Sequence, residues 1–294
     1  MRIKAYIYDA FTKDKFKGNQ AAVIPFADGL GLEDMKNIAK EFNYSESVFL
    51  FESDKAIKKV RFFTPNSEVD LCGHATIAYI TCLCDNKLLN LKTGKNIVNI
   101  ETNLGILPVI VNFKNDKIEN IMMYQAEAKI DEKINVDFSL IMEALGLSID
   151  DDLAELKIVK AYTGLWDIMI HLKNKEKLYS IKADMEKIKE ISKKLDIISF
   201  HPFALERDEK NNLLAYVRNF APIVDIDEEA ATGTSNGALA YFLYSKKYLN
   251  EAEYLRCIQG ETMGRESEII AQVLENRVLV GGFAVKTFEG ELDI

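Results

Sequence analysis

The sequence lacks the residue groupings that mark metal proteins, disulfide-bonded proteins and membrane proteins. Its 294 residues include four cysteines, which form no Cys-x-x-Cys pair, and three scattered histidines. A zinc site would have to combine Cys72 or His74 with residues distant in the sequence, so no metal site is predicted. No run of about 18 apolar residues is available to span a bilayer. The first residues alternate like a strand rather than a signal peptide, and cysteines outside any disulfide-like framework suit a reducing cytoplasm.

Basic residues form no block either, and the formal net charge is −9. Nucleic acid and an acidic membrane surface would be repelled, so neither is expected as a partner. The chain has no Gly-x-Gly-x-x-Gly segment and no P-loop, and we therefore expect no nucleotide or other cofactor. Hydrophobic residues make up 48% of the chain and charged residues 28%, a globular composition that can bury a sizeable core.

Short strand patterns alternate with a few helical ones. Helices are predicted at 32–42, 74–84, 138–146, 184–195 and 235–248; strands are predicted at 3–10, 20–25, 46–51, 60–63, 97–102, 106–113, 117–124, 156–161, 167–172, 197–205, 213–220, 268–274 and 277–285. Charged residues replace apolar ones near 120–135, which divides the chain into lobes 1–125 and 126–294. The C-terminal end could pack back on the first lobe.

The two lobes share a short pattern. Arg61-Phe62-Phe63-Thr64-Pro65 is followed by Cys72-Gly73-His74 and an apolar helix, and Arg218-Asn219-Phe220-Ala221-Pro222 is followed by Thr232-Gly233-Thr234 and another. A duplicated unit is the simplest account, with chance similarity as the alternative. Each glycine turn starts a helix whose first N–H groups lack intrahelical partners, so each turn favours an anion.

Five segments resemble one protein family. They are Gly18 to Val23 (GNQAAV), Asn43 to Ser47 (NYSES), Arg61 to Thr76 (RFFTPNSEVDLCGHAT), Arg218 to Ala238 (RNFAPIVDIDEEAATGTSNGA) and Gln259 to Ser267 (QGETMGRES). Their order and spacing resemble the PhzF-like, or phenazine biosynthesis-like, isomerases. The fold of that family is similar to diaminopimelate epimerase and proline racemase. The resemblance runs from residue 1 to about residue 285, and Cys-Gly-His-Ala-Thr is its most specific part.

The resemblance implies an α+β fold of two similar lobes, each a curved, mostly antiparallel sheet wrapped around a central apolar helix. It places the active site between the lobes. The family's general acid/base corresponds to Glu46, and its substrate-orienting histidine corresponds to His74. The acid before the second Thr-Gly turn corresponds to Glu229, which stands where aspartate is usual and is followed by alanine instead of proline. A homodimeric state enters only by analogy with the family.

Five further residues are candidate substrate contacts: Asn19, Asp70, Gly73, Gly233 and Thr234. The glycines and Thr234 would bind a carboxylate at the helix starts. Asn19 could instead serve only the turn, and Asp70 could be a turn residue or a partner of His74.

We therefore interpret the chain as a cofactor-independent isomerase that moves a proton on a small carboxylate-bearing substrate. An amino-acid racemase or epimerase is the alternative within enzymes, but a two-thiol mechanism is disfavoured because the second lobe offers no cysteine opposite Cys72. A binding protein without turnover is the alternative of another class. Contact of Glu46 with His74 in an open cleft favours catalysis, whereas a buried Glu46 paired with a lone arginine favours binding. The sequence does not indicate the substrate.

Overall fold

Seventeen strands and seven α-helices alternate along the chain, and a computed structural model describes all of its residues, 1–294. The contacts divide the chain into two compact units. Unit 1 consists of Met1–Met123 and Gly281–Ile294, and unit 2 consists of Tyr124–Val280. The last strand of the chain therefore belongs with the first residues.

Unit 1 is a mostly antiparallel sheet with two helices. Its elements are β1 (Arg2–Ala10), β2 (Asn19–Ile24), α1 (Leu32–Phe42), β3 (Glu46–Phe51), β4 (Lys59–Phe63), β5 (Glu68–Val69), α2 (Gly73–Asp85), β6 (Gly94–Thr102), β7 (Gly105–Lys114), β8 (Lys117–Tyr124) and β17 (Ala284–Asp293). The pair β2–β3 is parallel because α1 connects the two strands, and β3 then turns back to β4 in antiparallel register.

Unit 2 repeats this order of pairings. Its elements are β9 (Lys129–Asp131), α3 (Phe138–Ala144), α4 (Ile149–Asp152), β10 (Val159–Tyr162), β11 (Trp166–His171), α5 (Lys175–Tyr179), α6 (Met185–Leu195), β12 (Ser199–Arg207), β13 (Leu213–Val217), α7 (Gly233–Ser245), β14 (Tyr254–Gln259), β15 (Ser267–Leu274) and β16 (Arg277–Gly282). Here β10–β11 is antiparallel, β11–β12 is parallel across α5 and α6, and β12–β13 is antiparallel. Both units then continue into an apolar helix.

The apolar helices α2 and α7 form the centre of each unit. Every residue of α2 from His74 to Leu83 is buried, and α7 is buried from Ser235 to Ala240 and again at Phe242 and Leu243. The helix α2 packs against β1, β2 and β3, whereas α7 packs against β10, β11 and β15. This agrees with the predicted mixed fold of curved sheets around central apolar helices. No helix combines the length and the apolar character needed to cross a membrane.

Several elements differ from the sequence-based assignment. The helices at 138–146 and 235–248 end earlier, at Ala144 and Ser245, and the strand at 213–220 ends at Val217. The structure adds β5, β9, α4, α5 and β14, which are mostly too short for a clear periodic pattern.

The largest difference concerns the end of the chain, where one strand was predicted at 277–285. The structure instead contains β16 and then β17, which pairs with β1 from Ala284 opposite Ala10 to Asp293 opposite Arg2. Because β17 is only partly buried along its length, its side chains show no alternating apolar pattern. Backbone pairing with β1 determines the position of β17, and such pairing leaves no periodic pattern in the sequence.

A buried hydrogen-bond network in unit 2 fixes the start of α7. Asp167 of β11 lies opposite Ser199 of β12, and the Ser199 hydroxyl donates to Asp167 Oδ1 over 2.6 Å. Asn219 Nδ2 donates to Ser199 Oγ at 2.8 Å and to Ser235 Oγ at 3.1 Å. Since Ser235 lies in the first turn of α7, the network connects two strands with the glycine turn at Gly233.

Asp167 should make folding stability depend on pH. Burial raises the pKa of its carboxyl group from 3.8 to about 7, because hydrogen bonds from Ser199 and Ser235 compensate only partly for lost hydration. Between these two values the native chain binds a proton that the unfolded chain does not. The contribution of Asp167 to stability is therefore full below pH ~4 and falls as the pH rises through 7, by roughly 4 kcal/mol at most.

The substitution Asp167→Asn removes this titration while retaining an oxygen that can accept from Ser199. We expect urea-unfolding free energies to decline less between pH 4.5 and 7.5 in the variant than in the wild type. Asp227→Asn, at an exposed position of the same unit, is the control and should preserve the wild-type slope. Equal slopes for wild type and Asp167→Asn would show that Asp167 keeps an ordinary pKa.

Candidate active site

Glu46 and His74 meet in unit 1. Glu46 is the first residue of β3, where it lies opposite Ala21 of β2, and His74 is the second residue of α2. The glutamate Oε2 lies 3.2 Å from His74 Nε2. The histidine side chain is 7% exposed and the glutamate side chain 19%, so the glutamate retains access to solvent at the edge of the site. Residues 28 positions apart in sequence are thus brought into contact by the β3–β4–α2 arrangement.

Burial favours the neutral form of His74. Burial lowers the pKa of its imidazole, while the charge of Glu46 and a hydrogen bond with the Gln20 backbone act in the opposite direction. Its Nδ1 lies 3.3 Å from the sulfur of Cys72. Nε2 lies beside the Glu46 carboxylate and Nδ1 beside the Cys72 thiol, and the tautomer decides which ring nitrogen donates. The imidazole therefore connects a carboxylate and a thiol.

Asn19 and Ser45 lie on the same side of this contact. The Ser45 hydroxyl donates to Asn19 Oδ1 over 3.2 Å and lies 3.4 Å from His74 Nε2. The backbone before Asn19 requires a glycine, because Gly18 has φ +68° and a Cβ there would lie 2.1 Å from the carbonyl oxygen of Ala10. The glycine turn therefore sets the position from which Asn19 reaches Ser45.

Asp70 and Gly73 occupy more open positions in unit 1. Asp70 Oδ1 accepts a hydrogen bond from Asn103 Nδ2 at 3.4 Å, and not from His74. Around Gly73, a Cβ would meet no atom within 4 Å. Neither the N-cap residue Cys72 nor any acidic residue of the first turn caps α2 through its side chain. A small anion could therefore approach the N–H groups at the start of this helix.

In unit 2, a tight turn before α7 carries Glu229, Gly233 and Thr234. The Thr232 hydroxyl donates to Glu229 Oε2 over 2.8 Å, which directs the carboxylate toward the start of the helix. Thr234 is held through its backbone carbonyl, which accepts from Thr163 Oγ1 at 2.7 Å. As in α2, the first turn contains no acid and the N-cap residue, Thr232, makes no side-chain cap.

Gln259 holds this turn from β14. Its Nε2 donates to the carbonyl of Glu229 at 2.7 Å, and its Oε1 accepts from Thr232 N at 3.1 Å and from Asn236 Nδ2 at 2.9 Å. Gly260, with φ +79°, lets the next residues pass close to Ala230, whose oxygen would lie 2.7 Å from a Cβ at this position. The Gln259–Gly260 segment therefore shapes the turn that bears Glu229.

The sequence repeat between the units includes a salt bridge. Arg61 binds Glu68 with Nε and Nη2 at 2.7 and 2.6 Å, and Arg218 binds Glu228 in the same way at 2.8 Å for both atoms. Each arginine also lies over the phenylalanine two residues later. The two glutamates are separated by the same number of residues as Gly73 and Gly233. Each unit thus braces the segment between its strand and its apolar helix with a bidentate pair.

Three features of the site were not predicted from the sequence: Ser45, Gln259 and the contact of Cys72 with His74. Ser45 and Gln259 lie within the segments that resemble the family, so the resemblance could have identified them as site residues. Cys72 is buried, as a packing residue would be. The distance between Cys72 and His74 could not be predicted from the sequence, because it depends on the orientation of the His74 imidazole at the start of α2.

Comparison with known proteins agrees with this architecture. The family described as phenazine biosynthesis-like protein (PhzC-PhzF) matches residues 8–290. The chain belongs to this family. It is 36% identical over 299 aligned residues to an uncharacterized isomerase of Clostridium acetobutylicum, covering 98% of this chain and 97% of that protein.

Solved structures support the same assignment. A PhzF-family protein of Bacillus anthracis aligns with a TM-score of 0.89 and 28% identity over 100% of both chains. A probable proline racemase of Agrobacterium radiobacter aligns with a TM-score of 0.64 over 99% of this chain and 92% of that one. At 12% identity the racemase shows the fold alone. The present chain is an isomerase of the PhzF family with a fold related to racemases and epimerases.

The geometry around Gln259 generates a stability prediction. Gln259→Ala removes both hydrogen-bonding groups of a side chain that is 1% exposed, and it leaves Thr232 N and the Glu229 carbonyl without this partner. Unsatisfied buried groups are costly, and we expect a loss of about 2–4 kcal/mol in the free energy of unfolding. Denaturant unfolding monitored by circular dichroism measures it.

Gln272→Ala is the matched control for this experiment. Gln272 lies on the neighbouring strand β15 and donates to Ala252 at a solvent-exposed position. Its replacement should cost less than about 1 kcal/mol, because water can substitute for the lost donor. Similar losses at the two glutamines would indicate that the turn before α7 does not depend on Gln259.

Proposed function

We propose that this PhzF-family chain shifts a proton between two carbon atoms of a small carboxylate-bearing substrate, with Glu46 as the general acid/base. The observation that carries the proposal is the 3.2 Å contact between Glu46 Oε2 and His74 Nε2 beside the open start of α2. The carboxylate is accessible enough to reach a substrate and is oriented by a neutral imidazole. Contact with His74 rather than with a lone arginine favours catalysis over binding alone.

In the proposed reaction, Glu46 accepts a proton from an acidic C–H bond and returns it to another carbon. Once Glu46 carries the proton, the N–H of a neutral His74 can donate a hydrogen bond to the developing negative charge on the substrate without giving up its proton. The substrate carboxylate would bind at the N-terminus of α2, where Gly73 leaves space. Asn19 and Asp70 would contact the rest of the substrate.

In unit 2, the proposed site residues are Glu229, Gly233 and Thr234. The hydrogen bond from Thr232 orients the Glu229 carboxylate, and the uncapped start of α7 resembles that of α2. We propose that the start of α7 in unit 2, like that of α2 in unit 1, binds part of the substrate. Glu229 would orient the substrate there, and its longer side chain would extend further than the usual aspartate. By the same analogy, the enzyme would act as a cytoplasmic homodimer.

An amino-acid racemase or epimerase is less well supported by these residues. A two-thiol mechanism needs a cysteine in each lobe, and Thr232 stands in unit 2 where Cys72 stands in unit 1 before the glycine turn. Glu46 could still exchange a proton at a single stereocentre with a different partner acid. The position at which deuterium enters the product separates the two reactions, since a racemase labels the carbon that lost the proton.

A thermal-shift screen of small carboxylates provides the substrate for testing, because a ligand that binds only the native chain raises its melting temperature. With such a ligand in deuterated water, we expect Glu46→Gln to reduce label incorporation by at least about 10²-fold, since general acid–base assistance is typically worth 10²–10⁴-fold. The amide preserves shape and hydrogen bonding, so binding should change little. Mass spectrometry of the ligand measures the label.

Two further variants complete the experiment. Glu229→Gln should reduce exchange less than Glu46→Gln, because its proposed role is orientation. Glu41→Gln, at an exposed position of α1 in unit 1, should behave as the wild type. If Glu46→Gln exchanges normally while Glu229→Gln does not, the base lies in unit 2. If neither change matters and no bound ligand exchanges, the chain is a binding protein.

A further inference from the structure

Three metal-binding side chains converge at the site in unit 1. Glu46, Cys72 and His74 each offer one ligand atom, and the three atoms lie within 4.8 Å of one another. A thiolate, an imidazole and a carboxylate are the three side-chain groups that bind Zn²⁺ in proteins. Their spacing in the sequence gave no indication of this, because Glu46 is remote from the Cys72-Gly73-His74 turn.

The distances approach those around a tetrahedral ion. Zinc binds sulfur at ~2.3 Å and nitrogen or oxygen at ~2.0–2.2 Å, which puts neighbouring ligand atoms about 3.3–3.6 Å apart. His74 Nε2 lies 3.2 Å from Glu46 Oε2 and 3.9 Å from Cys72 Sγ. Cys72 Sγ lies closer to Nδ1, at 3.3 Å, so the Cys72 side chain has to turn toward Nε2 before all three ligand atoms can bind one ion.

The surroundings also suit a bound cation. His74 is fixed by its place in the first turn of α2 and by the hydrogen bond with the Gln20 backbone, the kind of outer contact that orients metal-binding histidines. Entry from solvent is available at the partly exposed Glu46 and beside Gly73, where a Cβ would meet no atom. Three protein ligands leave a fourth position for water.

We propose that Glu46, Cys72 and His74 form a reversible Zn²⁺-binding site, and that the ion inhibits the isomerase by occupying Glu46 and His74. The inhibition rests on the proposed function, whereas the binding of the ion does not. Binding releases the Cys72 thiol proton to solvent, and no other covalent change is involved. Catalysis needs no metal, so treatment with a chelator should maintain or increase activity.

Metal binding is measured first, without any substrate. The full chain, stripped with EDTA and dialysed, is titrated with ZnCl2 by calorimetry and with CoCl2 by absorption spectroscopy. We expect one ion per chain and, for cobalt, a thiolate-to-metal charge-transfer band in the near ultraviolet. Cys72→Ala should abolish the band and weaken zinc binding at least tenfold. Cys84→Ser, which changes a half-buried cysteine on the same helix, should bind as the wild type.

Inhibition is measured by deuterium incorporation, and each variant is compared with itself at added ZnCl2 and at added EDTA. We expect at least tenfold inhibition by zinc in the wild type and in Cys84→Ser, reversed by EDTA, and less than twofold in Cys72→Ala. Absence of a cobalt band, an unchanged band in Cys72→Ala, or equal inhibition of Cys72→Ala would overturn the proposed site. A cobalt band without any exchanging ligand would support the metal site and contradict the proposed function instead.

Discussion

Burial of one apolar helix in each unit is the constraint on which the structure depends. The helices α2 and α7 have almost no polar face, so each must be enclosed by strands along most of its length. Their N–H groups at the first turn cannot be satisfied within the helix. Polar chemistry is therefore concentrated at the starts of these helices, and His74 and Thr234, each the second residue of its helix, are located there.

The approach to each helix start is fixed by a bidentate pair. Arg61 with Glu68 and Arg218 with Glu228 hold the segment that leaves the strand, although the second loop is about three residues longer. Planar guanidinium groups favour this geometry because two parallel N–H donors match a carboxylate. The extra loop residues precede Glu228. The number of residues from the glutamate of each pair to the following glycine turn is therefore the same in both units.

The helix cores and most strands could be predicted because their apolar residues follow clear periods. The strand Glu46–Phe51 and the helix Leu32–Phe42 have the predicted bounds. The strand β17 could not be predicted, since its half-exposed side chains carry no period and its position is set by pairing with β1. The contact between Glu46 and His74 was suggested by the family resemblance alone. No periodic pattern relates a strand start to a helix start.

The contact of His74 with both Glu46 and Cys72 would support the two kinds of chemistry that we propose. A neutral imidazole beside a carboxylate can orient a base for proton transfer, and the same lone pairs can bind a metal ion. The burial that lowers the pKa of His74 favours the neutral ring, which both proposed roles require. Because proton and ion would compete for the same atoms, a site of this kind favours catalysis where free zinc is scarce.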